Sequence, residues 1–151
     1  MVNGASAFIL VDASAGAGNT VRFNRVYGNG GVSGIINATN NPNTPTLTAA
    51  LGGNIAEIFG GFQGVAGKSY LVDFYVTDVS GTAKIYLGNT TYLADGIGFV
   101  SIDSTFPGTM PFGAIITATA TRVDTGSTIT TGIGGTSTAG PASILVSNAL
   151  P

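Results

Sequence analysis

Twelve side chains of this 151-residue chain carry formal charge, and they are the first candidates for acid–base or metal chemistry. They are Asp12, Glu57, Asp73, Asp78, Asp95, Asp103, Asp124, Arg22, Arg25, Lys68, Lys84 and Arg122. Glycoside hydrolysis needs two carboxylates about 5–10 Å apart. Asp73 and Asp78 are the nearest such pair, but they lie along and just past one predicted strand, with Asp78 beside a Ser80-Gly81 turn. Calcium takes six to eight oxygens, several of them from carboxylates. Asp95 and Asp103 could meet across a hairpin, but both read more simply as a turn residue and a solvent-facing strand residue. Cys and His are absent, which removes thiol and imidazole nucleophiles and the usual zinc and haem ligands. No residue is assigned as catalytic or as a metal ligand, and no cofactor is expected. Four tyrosines, Tyr70, Tyr75, Tyr86 and Tyr92, offer amphipathic rings. Tyr75 and Tyr86 fall on adjacent predicted strands. They could form a glycan-stacking platform, and cross-strand aromatic packing is the favoured alternative.

The elements that must position these residues are strands. Segment 70–77 alternates, with Tyr70, Val72, Phe74 and Val76 on one face and Asp73 and Thr77 on the other. Segment 83–87 repeats the pattern, and 116–121 alternates small apolar residues with Thr, a β-branched residue suited to an exposed strand face. Segments 97–102, 128–133 and 142–146 are further strand candidates. Turns are expected at Ser80-Gly81, Asp95-Gly96, Pro107-Gly108, Asp124-Thr125-Gly126 and Gly134-Gly135. The best helix-like windows are 46–51 and 54–59, each under two turns, and Gly or Pro interrupts nearly every longer one. Short strands at regular spacing predict an all-β sandwich.

Charged residues make up only 8% of the chain, against about a quarter in ordinary domains. Five cations and a net charge of −2 speak against nucleic-acid binding. No apolar run approaches the roughly 18 residues of a membrane span, so no membrane insertion is expected. Residues 1–7 hold no cation and the apolar run 7–11 is short for a signal core. A Thr, Ser and Asn surface with so little charge suits subunits that pack against neighbours or chains that work outside the cell.

The first third has another rhythm. After Phe8-Ile9-Leu10-Val11, apolar residues come in pulses between Asn and Gly, as in Gly18-Asn19-Thr20-Val21-Arg22-Phe23-Asn24-Arg25-Val26-Tyr27-Gly28-Asn29-Gly30-Gly31. Asn tolerates the left-handed region and Gly has no Cβ to clash, so this suits a strand turning sharp corners. The polar, Pro-containing stretch that follows is a linker. The division expected is 1–37 as a β-helix-like terminal coil or extended N-terminal strands, 38–46 as linker, and 47–151 as a sandwich.

These segments together resemble the C-terminal module of bacterial right-handed parallel β-helix surface and secreted proteins. In that family a Gly-Asn-rich last coil is followed by a Pro-Leu-Thr linker and an Ig-like sandwich. Pro45-Thr46-Leu47-Thr48 stands at the linker position, and Tyr86-Leu87-Gly88 and Ile116-Thr117-Ala118-Thr119-Ala120-Thr121 match later strings of the sandwich. The resemblance covers roughly residues 18–122. It implies an Ig-like antiparallel sandwich behind a terminal coil, in an extracellular or cell-surface protein, with no catalytic residues. The chain departs from the family in having a single coil and about thirty residues beyond Arg122.

A lone coil cannot bury its own interior, since coils in such arrays cover one another. Phe8, Ile9, Leu10, Val11, Val21, Phe23 and Val26 are therefore the expected assembly interface. Leaving several of them half exposed would forfeit on the order of 5 kcal/mol of burial, comparable with a small domain's stability. The expected function is a self-associating structural module, a homo-oligomer or polymer held by strand addition or coil stacking. The alternatives are a carbohydrate-binding or adhesive module with glycans as partner, and a viral fibre or capsid-decoration protein.

Overall fold

Apolar side chains at every second position, separated by Thr, Ser and Gly, leave the backbone one economical way to bury them, as a pleated sheet. The computed structural model describes residues 9–11, 35–37, 45–77, 84–108, 110, 114–123, 144–145 and 147–148. Within them run ten strands: β1 (Ile9–Val11), β2 (Ile35–Asn37), β3 (Thr46–Gly52), β4 (Ile55–Gln63), β5 (Ser69–Thr77), β6 (Lys84–Leu93), β7 (Phe99–Pro107), β8 (Ile115–Val123), β9 (Ile144–Leu145) and β10 (Ser147–Asn148). No helix occurs among the described residues.

Strands β1 and β2 pair in parallel. The rest form two four-stranded, mainly antiparallel sheets in the orders β10-β3-β4-β7 and β6-β5-β8-β9. The chain lays down β3 and β4 in one sheet, crosses to β5 and β6, returns for β7 and crosses again for β8. The two sheets enclose one core, an all-β sandwich. Leu47, Ile58, Phe62, Val100, Ile102 and Phe106 enter it from one side, and Tyr70, Val72, Phe74, Val76 and Ile116 from the other. Aromatic rings lock the layers. Phe62 meets Tyr70 edge-on at 5.2 Å, and Phe74 meets Phe106 at 5.3 Å. Polar groups bridge the two edge strands: Ser104 Oγ donates to Thr90 Oγ1 at 2.7 Å and also pairs with the Tyr92 hydroxyl.

The windows with helix-like spacing, 46–51 and 54–59, lie in the β3–β4 hairpin. A register shift between Leu47 and Ala49 explains the spacing in the first window. The extra residue of a β-bulge turns Leu47 and Ala50 to the same side, so a strand mimics an i, i+3 pattern. The expected hairpin strand at 128–133 and the turns at Ser80-Gly81, Asp124 and Gly134 lie outside the described residues.

Candidate functional site

Three constellations singled out in the sequence have a described geometry. The first is the tyrosine pair. Tyr75 on β5 stands directly opposite Tyr86 on β6, with ring centroids 5.6 Å apart and planes at 63°. The expected pairing is present, but Tyr75 is only 3% exposed. A sugar ring needs a free aromatic face, and Tyr75 presents none. The arrangement is edge-on packing of two rings across neighbouring strands.

Beside them Asp73 is fully buried and accepts a hydrogen bond from the Tyr86 hydroxyl at 3.1 Å. Asn89 Nδ2 donates in turn to that hydroxyl at 2.5 Å. Asp73 faces Asn89 on β6 and Thr119 on β8. Thr117, Thr119 and Thr121 are buried as well. Strand alternation placed these polar residues away from the core, as expected, but not in solvent. Strands β5 and β8 are thus largely buried on both faces within a single copy of the chain. The hydroxyls of Thr117 and Thr119 are buried without a hydrogen-bond partner. Replacing Tyr86 by Phe should therefore be costly, because a buried carboxylate loses a donor. The expected loss is about 1–3 kcal/mol in urea unfolding, with the strand content by circular dichroism unchanged. A loss under ~0.5 kcal/mol would mean the hydroxyl does not support Asp73.

The second constellation is Asp95 with Asp103. Asp95 Oδ1 accepts from the backbone N–H of Ile97 at 2.9 Å and of Phe99 at 2.8 Å. That carboxylate shapes the turn between β6 and β7. Asp103 is exposed midway along β7, opposite Phe59. Among the described residues no group of acidic side chains is placed to hold a metal ion. Asp78 lies outside the described residues.

The Asp95 turn also organises one end of the sandwich. Gly64 N–H donates to the Gly98 carbonyl at 2.8 Å, Ala94 N–H to the Lys68 carbonyl at 2.9 Å, and the Gln63 side-chain amide to the Ile97 carbonyl at 2.8 Å. The Val65 N–H donates to the Tyr70 hydroxyl at 2.7 Å. Gly64 permits this close approach: a Cβ there would sit 2.6 Å from the Tyr70 ring. The two crossing loops are thereby tied together, and they hold Val65, Leu93, Ile97 and Phe99 out to solvent, with Ile97 81% exposed.

The third constellation is the expected assembly interface. Ile9, Leu10 and Val11 form β1, paired in parallel with Ile35, Ile36 and Asn37. Phe8, Val21, Phe23 and Val26 lie outside the described residues. Sequence reading missed the strand edge that β7 presents. The only signal pointing to it was the Asp95-Gly96 turn just before the strand. No family model matches the chain, and no curated protein matches it.

Proposed function

We propose that the chain is a non-catalytic structural module of an extracellular or cell-surface assembly, self-associating through strand addition or coil stacking. The observation that carries this reading is the β1–β2 pair. Ile9 lies parallel to Ile35, 26 residues further on. Parallel strands need a long connection, and this one falls within the roughly 20–50 residues of a solenoid repeat. A solenoid coil is normally covered above and below by other coils or other subunits. That pairing, ahead of a β-sandwich, supports the resemblance to the terminal module of parallel β-helix surface proteins.

The strand order supports an immunoglobulin-like reading of the sandwich. Taking β3, β4 and β7 as A, B and E leaves β6, β5, β8 and β9 as C′, C, F and G. Asp73 and Asp95 are held in structural hydrogen bonds, which supports a non-catalytic role. The low charge of 8% supports a surface that meets neighbours and not bulk solvent alone.

Light scattering coupled to size exclusion, followed by negative-stain electron microscopy, tests the proposal. Species well above the 15.0 kDa of one chain should grow in with concentration. A monodisperse single chain at millimolar concentration would overturn it.

A further inference from the structure

Strand β7 ends its sheet, and its ladder with β4 runs without a bulge from Ile55–Pro107 to Gln63–Phe99. In an antiparallel ladder the N–H and C=O of one residue point to the same side, and that side alternates along the strand. Phe99 reveals which side is which. Its carbonyl accepts from the Asp95 N–H at 3.0 Å, and its N–H donates to Asp95 Oδ1 at 2.8 Å. Both groups therefore face away from β4. The same parity sends the backbone groups of Ser101, Asp103 and Thr105 to the open side, while the residues between them hold β4. Pro107 shares that parity, so its missing N–H takes nothing from the ladder.

The open stretch is flat and lightly guarded. β7 contains no Lys or Arg, and Asp103 is its single charge. The other crossing edge, β6, carries a register shift opposite Phe74 and Tyr75, a kink that discourages pairing.

We infer that the β7 edge between Ser101 and Thr105 is the site at which a second copy of this chain adds, the two β7 strands pairing antiparallel about a two-fold axis. The inference rests on the self-association reading above. Self-complementarity selects the occupant, because a two-fold axis brings together two edges with identical spacing of donors and acceptors. A register centred on Asp103 sets two carboxylates face to face and is disfavoured. A register centred on Ile102 sets each Ser101 opposite Asp103 of the second copy, where the hydroxyl can donate to the carboxylate. About four backbone hydrogen bonds then join the copies, two for each closely spaced pair. The two four-stranded sheets become one continuous sheet of eight.

Two variants of the full chain test this. Asp103→Pro removes an N–H from the open side alone. Ser101→Asp with Thr105→Asp puts carboxylates on the edge at two exposed positions, the first directly opposite Asp103 of the second copy. Both should keep the wild-type circular dichroism, and both should weaken self-association at least tenfold by analytical ultracentrifugation. Wild-type chain that stays monomeric at every concentration overturns the self-association reading, and this inference with it. Wild-type chain that assembles, together with a folded aspartate variant that assembles equally well, overturns the β7 assignment alone. If the proline variant does not fold, the aspartate pair decides, since its side chains leave no packed position.

Discussion

Phe74→Ala should lower the unfolding free energy by about 3–5 kcal/mol, the range for deleting a buried aromatic ring. The ring is fully buried and packs against Phe106. Its neighbours on the flanking strands are Gly88 and Ala118, neither of which can swing a side chain into the hole. Collapse is therefore poor, and the upper half of the range is expected. Such a loss is a large share of the ~5–15 kcal/mol that holds most domains folded. Urea unfolding should show the midpoint falling with little change in slope. Phe74→Leu, which keeps most of the volume, should cost well under half as much. An alanine variant within ~1 kcal/mol of wild type would mean that this part of the core is not close-packed.

The second large effect is expected at Gly98. Its φ is +87°, a conformation L side chains rarely adopt, and a Cβ there would lie 2.7 Å from the Gly64 carbonyl oxygen. The left-handed conformation costs about 1–2 kcal/mol and the overlap about 1–3 kcal/mol more. Gly98→Ala should thus destabilise by roughly 2–5 kcal/mol. It should also free the two crossing loops, because Gly98 accepts the Gly64 N–H that joins them. Gly96, two residues earlier, is the internal control. A Cβ there meets nothing within 4 Å, so Gly96→Ala should change stability by less than ~0.5 kcal/mol. Thermal melts together with hydrogen exchange at Gly64 separate the two outcomes. Equal melting temperatures for the two variants would contradict the geometry of the turn.

The strands whose burial follows a simple period of two were legible from the residues alone. The alternation of Tyr70, Val72, Phe74 and Val76 marked β5, and the Thr-Ala repeat marked β8. Strand β6 runs longer than the 83–87 segment its alternation predicts. Its second half, Gly88-Asn89-Thr90-Thr91, is polar and begins at a bulge, so the alternation broke where the strand did not. The sequence pattern extends the strand back to residue 97, but Asp95 captures the backbone ahead of Phe99 and holds Ile97 in the turn. The tyrosine pair was legible as a pair because register follows from a short hairpin. Its burial was not, because the exposure of a sheet face depends on chain far away in sequence. The open side of β7 is a property of hydrogen-bond parity, which side-chain types do not encode.

β10 lies parallel to β3, with Ser147 beside Leu51 and Asn148 beside Gly52, while β9, just before it, belongs to the opposite sheet. The first and last strands of the sandwich are thus neighbours running the same way. Tension applied to the two ends of this region drags them in opposite directions along their length. Their cross-links are then strained together in shear and do not peel apart one by one. A tether built on this plan resists a steady pull better than its few closing contacts suggest.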